Sequence, residues 1–269
     1  MARPRTFLGV GNGKLHADAV LVVGLGRFGA AAAEALHRLG HEVLAVERSP
    51  ELVQEWSGRL THVVEADATN LQALKQIGAA QFPIAVVGIG TSIEASVLST
   101  LNLVDLNVGQ IWAKAISHSH GKILERLATG TDTDHITGDD ALNDVARKAR
   151  EQRLRKDSSH HRPTKSRVTV VYPEATMGER TAHLVTGKLL DYIEFDDGFA
   201  IVKMAPPKET HNFTLDQAGV RSKYGITVVG VKRPGADFTY AIPTTKVHPD
   251  DVLIVSGHVD QIEAFAARP

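Results

Sequence analysis

The sequence predicts an α/β fold: a doubly wound parallel sheet followed by a second, smaller α+β domain at the C-terminal end. Three observations predict it. Between Asp18 and Leu127, short apolar runs alternate with helical stretches of roughly ten to fifteen residues, as strands buried between two helical layers require. A glycine-rich turn, Gly24 to Gly29, joins the first apolar run to the first helix. Beyond Arg167 the pattern shifts to hairpin-like pairs of strands with little helix.

In order, the expected elements are a strand over Ala19–Val23, a helix over Ala30–Leu39 capped by Gly40, and a strand over Glu42–Val46 ending at Glu47. Ser49 and Pro50 predict an N-cap and first helical position for the second helix. His62–Glu65 reads as a strand, Asn70–Ile77 as a helix, and Ile84–Ile89 as a fully apolar strand ending in Gly88-Ile89-Gly90. Thr91 and Glu94 have capping-box spacing for a helix running to about Leu106. Ile111–Ala115 and His118–Leu127 complete this alternation. Residues 129–166 read as a polar excursion containing a helix-like stretch, Asp139–Arg155. Arg167–Tyr172 reads as a strand returning to the first sheet, and a helix follows from Pro173 to about Val185. Asp191–Phe195 and Phe199–Lys203 flank a hairpin signal, Asp-Asp-Gly. A short helix or turn at Asp216–Lys223, strands at Ile226–Lys232 and Val252–Ser256, and a helix at Val259–Ala267 close the chain.

Composition narrows the function. Thirty Lys and Arg against thirty-one Asp and Glu leave a net charge of −1, giving no global reason to bind nucleic acid or anionic lipid. The one strongly basic stretch, residues 147–167, carries nine Lys and Arg against Glu151 and Asp157, and reads as a solvated loop or a contact for anionic headgroups. The absence of cysteine removes disulfides, thiolate catalysis and thiolate metal sites. No apolar run reaches the ~18 residues that a membrane helix needs, and residues 1–17 read as a loose arm rather than a signal peptide. A cytoplasmic location is the resulting expectation.

Gly24-Leu25-Gly26-Arg27-Phe28-Gly29 fits the G-x-G-x-x-G pattern, between a predicted strand and helix, with Glu47 at the end of the next strand. Here the first glycine permits the turn, the second lets a pyrophosphate approach the backbone, and the third lets the helix pack on the strand. Glu47 suits ribose hydroxyls and would repel a 2′-phosphate. Arg27 reads either as a phosphate contact or as an exposed loop cation. Asp67, after the third strand, reads either as a contact near the adenine end or as a turn-forming residue. Lys114 and Glu174 follow strands on the same sheet edge. No Walker A loop, G-x-S-x-G elbow or H-E-x-x-H motif is present, and His118 is the nearest candidate proton donor by chain order.

The segments VLVVGLGRFG (20–29), LHRLGHEVLAVE (36–47), EADATN (65–70), IWAKA (111–115), KILERL (122–127), YPEATMGERTAHL (172–184) and VRSKYGITVVGVKR (220–233) together resemble the regulatory subunits of Trk/Ktr-type potassium-uptake systems. Such subunits pair a Rossmann-like RCK N-lobe with an RCK C-lobe. The resemblance implies an arm at 1–17, an N-lobe at 18–186 with an insertion at 129–166, and a C-lobe at 187–269. It further implies a non-catalytic gating ring, an octamer assembled from dimers beneath a membrane potassium-pore subunit, peripheral at the membrane's inner face, with no nucleic-acid partner. Its nucleotide would be ATP, ADP or NAD(H), held by Gly24, Gly26, Arg27, Phe28, Gly29, Glu47, Arg48, Asp67, Ala68 and Lys114. Glu174 would match a carboxylate for Mg2+ or another divalent cation between neighbouring subunits. Some members bind cyclic di-AMP in the C-lobe, where Arg221 and Pro243 fall at matching positions and Thr227 stands where some binders carry asparagine. The reading from the residues keeps an alternative, an NAD-dependent oxidoreductase or redox sensor.

Overall fold

The computed structural model describes residues 18–129, 144–145, 147–148, 151, 166–185 and 189–268. The arm at 1–17, most of the 129–166 excursion and all but a few residues of its expected helix lie outside them. The chain divides into two compact units, Met1–Pro173 and Glu174–Pro269.

In the first unit, β1 (Val20–Val23), β2 (Val43–Glu47), β3 (His62–Glu65), β4 (Ile84–Val87), β5 (Gln110–Lys114) and β6 (Arg167–Val171) form one sheet in the order β3-β2-β1-β4-β5-β6. Every pairing is parallel, and Arg167 to Val171 does return to this sheet, beside β5. The helices between them are α1 (Arg27–Arg38), α2 (Pro50–Trp56), α3 (Leu71–Gln76), α4 (Ile93–Asp105) and α5 (His118–Thr129). Alternate side chains of β1 enter two different cores. Leu21 and Val23 pack in one with Val97, Leu101 and Ile123, while Val20 and Val22 pack in the other with Ala33 and Trp56. A strand fully covered on both faces is apolar throughout, which is why no alternation marks it in the sequence.

Caps place the helix starts. Ser49 accepts from Leu52 N–H and Pro50 opens α2; Asn70 accepts from Gln72 and Ala73 N–H and opens α3. Two expectations are corrected. Ser92, not Thr91, caps α4, through its hydroxyl and Ala95 N–H at 3.1 Å. Helix α1 begins at Arg27 rather than Ala30, because Gly26 is already its N-cap, and so Arg27, Phe28 and Gly29 form its first turn.

In the second unit, α6 (Pro173–Val185) leads into an antiparallel sheet of β7 (Leu189–Glu194), β8 (Phe199–Met204), β9 (Thr227–Lys232), β10 (Phe238–Tyr240) and β11 (Val252–His258), in the order β10-β9-β11-β8-β7. The β7–β8 hairpin turns through Asp197 and Gly198, both at positive φ (64° and 69°), the geometry that an Asp-Gly pair supplies. Helices α7 (Leu215–Ala218) and α8 (Val220–Tyr224) are separate, since Gly219 at φ 61° breaks the single expected stretch. Helix α9 (Val259–Ala266) covers the core with Ile262 and Phe265.

Strand β10 has no counterpart among the expected elements. It is a three-residue, exposed edge strand, held by Phe238, whose ring lies over the bare backbone of Gly230; a Cβ there would stand 2.0 Å from the ring. The unit boundary also falls earlier than the expected Thr186/Gly187. Arg180 pairs with Asp191, His183 stacks on Tyr192 with ring centroids 4.1 Å apart, and Leu184 joins the second core, so α6 belongs with the second sheet.

Candidate functional site

Strand order reverses between β1 and β4, and in open parallel sheets the crevice at the carboxyl ends of such strands is where ligands bind. A cleft of about 180 Å3 lies there, lined by the β1–α1 turn (Gly24, Gly26), the end of β2 (Glu47, Arg48), the residues after β3 (Asp67, Ala68, Thr69) and those after β4 (Gly88 to Ser92).

Three glycines shape it in different ways. Gly24 has φ +87°, which side-chain-bearing residues rarely adopt. Gly29 sits beneath the turn, where a Cβ would fall 1.9 Å from the Gly24 carbonyl oxygen. Gly88, at the end of β4, closes on Gly29 from the other side, with its own would-be Cβ 2.8 Å from Gly29 Cα. Gly26 differs. Its backbone is ordinary (φ −64°, ψ 177°) and a Cβ on it would meet nothing within 4 Å. The protein's own packing therefore has no use for glycine at that position, which lines the cleft at the N-terminus of α1. No side chain caps that terminus, so its first-turn amides are available to a ligand in the cleft.

The Glu47 carboxylate is already engaged. One oxygen accepts from Leu25 N–H at 2.6 Å, inside the glycine turn, and the other from Arg48 and Ser49 N–H at 2.7 and 2.9 Å. It fastens β2 to the turn while presenting its remaining lone pairs to the cleft. Asp67 accepts from both the amide and the hydroxyl of Thr69, at 2.9 and 2.8 Å, which shapes the turn after β3.

Of the expected contacts, Gly24, Gly26, Glu47, Arg48, Asp67 and Ala68 line the cleft together. Arg27 is exposed on the first turn of α1, Phe28 is half-buried beside it, and Gly29 is buried below. Lys114 is buried behind Gly90, where a Cβ would stand 3.1 Å from its Nζ, and that Nζ lies 6.0 Å from the centre of the Phe28 ring. His118 is exposed and does not line the cleft.

Sequence reasoning missed three contributors. Thr91 and Ser92 line the cleft, and Asn102, fully buried in α4, donates to the carbonyls of Ala68 and Thr69 at 3.0 and 2.9 Å. A lone amide inside the apolar run Leu101 to Val104 was the available signal.

The second unit holds a cavity of about 420 Å3 between α7, α8 and β9, with Arg221, Thr227 and Pro243 among its lining residues. Pro243 is placed by its carbonyl, which accepts from Asp216 N–H at 3.0 Å. Nearby, the buried Asp251 carboxylate takes two bonds from Arg233 (2.8 and 2.9 Å) and one from His248 N–H (2.8 Å), and the guanidinium holds its pKa below the ordinary carboxylate value. Glu174 lies in the first turn of α6. Among the described residues no group of three or more His, Asp or Glu side chains could hold a metal ion, and Glu174 belongs to no such group there.

Fold and site together define a two-unit protein with a Rossmann-type sheet and a cleft at its switch point in the first unit, and a smaller antiparallel second unit. Residues 20–136 match the TrkA-N domain and residues 199–268 the TrkA-C domain. The chain is 30% identical over 94% of its length to the Ktr system potassium uptake protein A of Bacillus subtilis (strain 168), covering 97% of that protein. It is 32% identical over 92% of its length to the Ktr system potassium uptake protein C of the same organism, covering 95% of it. The chain belongs to this family of Ktr potassium-uptake proteins. Its fold is also that of the GsuK RCK domain (TM-score 0.53, 15% identity) and of the GsuK channel solved with NAD bound (TM-score 0.53, 14% identity). These alignments take in 93% of this chain but only 48% and 39% of those longer ones.

Proposed function

We propose that this chain is a non-enzymatic regulatory subunit that binds ATP, ADP or NAD(H) in the first-unit cleft and thereby sets the activity of a separate membrane potassium pore. Gly26 is the observation that carries the nucleotide reading: a glycine that its own protein does not require, at an uncapped helix N-terminus, in the crevice where strand order reverses. Membership of the potassium-uptake family supports the pore as its target. No helix among the described residues is long and apolar enough to cross a membrane, so the pore is taken to be another chain.

The phosphates lie over Gly26 and the start of α1, with Arg27 and Lys114 at their distal end and Glu47 and Asp67 toward the ribose and adenine. Among the described residues no His, Lys or Tyr lines the cleft, which favours ligand sensing over hydride transfer, a reaction that needs a proton donor at the nicotinamide. The cavity around Arg221, Thr227 and Pro243 takes cyclic di-AMP as a second effector, through the Arg221 guanidinium. The chain works as a ring of dimers, an octamer at the inner face of the membrane, and Glu174 acts there only if a neighbouring copy supplies further ligands. For regulation, the nucleotides must bind two ring states with different affinity.

Calorimetry on the full chain tests this reading with ATP, ADP, NAD and NADH, with and without magnesium, in wild type and Arg27→Ala. Tight adenine-nucleotide binding that loses its triphosphate preference in Arg27→Ala is the expected result. Binding of NADH alone, indifferent to Arg27, would favour the oxidoreductase or redox-sensor alternative.

A further inference from the structure

The first turn of α5 contains an imidazole sealed from solvent. His120 is fully buried, and its Nδ1 accepts a hydrogen bond from Ile116 N–H at 3.3 Å. Its own amide donates to Ser117 Oγ at 3.2 Å, closing the β5–α5 connection into a tight loop. Because Nδ1 accepts, the proton of the neutral ring sits on Nε2, and Nε2 has no partner among the described residues. A buried N–H without an acceptor is costly, and a leucine would fill similar space without that cost. What leucine cannot do is accept the Ile116 amide.

That amide is close to the cleft. Ile116 follows Lys114 by two residues, and both side chains rest against Gly90: a Cβ there would stand 3.1 Å from Lys114 Nζ and 3.7 Å from Ile116 Cγ2. Gly90 lines the cleft. On its other side the same turn of α5 is confined by Tyr172, whose hydroxyl lies over the bare backbone of Gly121; a Cβ there would be 1.8 Å from it. The helix start is thus held between the ends of β5 and β6, and His120 links it to the strand that carries Lys114.

We propose that His120 is a positioning residue for the phosphate end of the nucleotide cleft, holding the Ile116 backbone and through it the Lys114 ammonium against Gly90. The inference rests on the nucleotide reading above. Burial pushes this imidazole down to about 4, so it stays a neutral acceptor near pH 7.

The test measures affinity for ATP and for AMP, together with melting temperature, in the full chain carrying His120→Leu, His120→Asn or Lys114→Met. His120→Leu is expected to melt no lower than wild type, to bind ATP about tenfold more weakly, and to bind AMP within about twofold of wild type. His120→Asn, whose Oδ1 can still accept from Ile116 N–H, is expected to restore ATP binding. Lys114→Met should reproduce the selective loss, and His120→Leu should add nothing to it. Equal losses for ATP and AMP, or a tenfold loss of ATP affinity in His120→Asn, would show a merely structural role and overturn the inference. Unchanged ATP binding in His120→Leu would overturn it too, while leaving the nucleotide reading intact. A wild-type chain that binds neither nucleotide overturns both. Should the leucine variant fail to fold, His120→Phe, which keeps a ring but offers no acceptor to Ile116 N–H, is read in its place by the same criteria.

Discussion

The two candidate ligand cavities are built from different materials. In the first unit the cleft is made mainly of backbone: glycines at a strand–helix turn, a helix N-terminus, and carboxylates that bond to main-chain amides. In the second unit the cavity is lined by residues of two short helices, a strand and a loop spread over residues 215–243, with Gly219 the one glycine among its described lining residues. A backbone site depends on where glycine is allowed or required, and one substitution can abolish the space. A site built from scattered larger residues tolerates more, and single lining residues such as Arg221 would set its ligand preference.

The largest expected effect separates the two roles of glycine in the cleft. Gly29→Ala places a Cβ 1.9 Å from the Gly24 carbonyl oxygen, so the turn must open. A loss of about 3 kcal/mol is expected, visible as a much lower denaturation midpoint. A wild-type midpoint would show that the turn is not tightly packed.

Asp251→Ala comes next, and it bears on the independence of the units. Removing this buried carboxylate strands Arg233 and the His248 amide, with a loss of about 2 kcal/mol in the second unit. Nucleotide affinity in the first unit should stay within twofold of wild type. A shared loss would break the comparison by making the two sites one cooperative whole.

Acid should loosen the first unit through His120. Its folded-state value of about 4 lies below the ordinary 6.5, so the unfolded chain takes the proton first as pH falls. The stability it contributes is complete above pH 6.5 and is lost toward pH 4, roughly 2 kcal/mol of it by pH 4.5. Denaturation of wild type and His120→Leu across this range checks it: the stability gap between them should shift in favour of the leucine variant as pH drops. A gap that does not change with pH would contradict the burial argument.

Gly26→Ala is the smallest in stability and the sharpest for function. With nothing within 4 Å of the new Cβ, the melting temperature should not move, while nucleotide affinity should fall about tenfold, or 1.4 kcal/mol. A stability loss without an affinity loss would assign Gly26 to the fold instead.

How far the sequence was legible follows the same division. The parallel sheet, the Ser49-Pro50 helix start and the glycine turn could be read, because each depends on local residue chemistry: fully apolar strands, a hydroxyl cap, glycine at positive φ. Gly24, Gly26 and Glu47 could be placed in one cleft because the motif joins adjacent strands. Asn102 and Ser92 could not, since one reaches thirty-four residues back to Ala68 and the other competes with a neighbouring threonine for the cap. Strand β10 escaped because an exposed edge of three residues has no buried face to give it a pattern. The start of the second unit escaped because α6 is assigned by its contacts with Asp191 and Tyr192, which no periodicity announces. Arg221 and Pro243 were reached only through the family resemblance.

The most direct test of the two-cavity account is amide hydrogen exchange on the full chain, alone and with ATP or cyclic di-AMP added separately. ATP is expected to protect amides of residues 24–30 and 88–95, and cyclic di-AMP those of residues 215–228. Protection of the second set by ATP, or no protection of the glycine turn by any nucleotide, would contradict it.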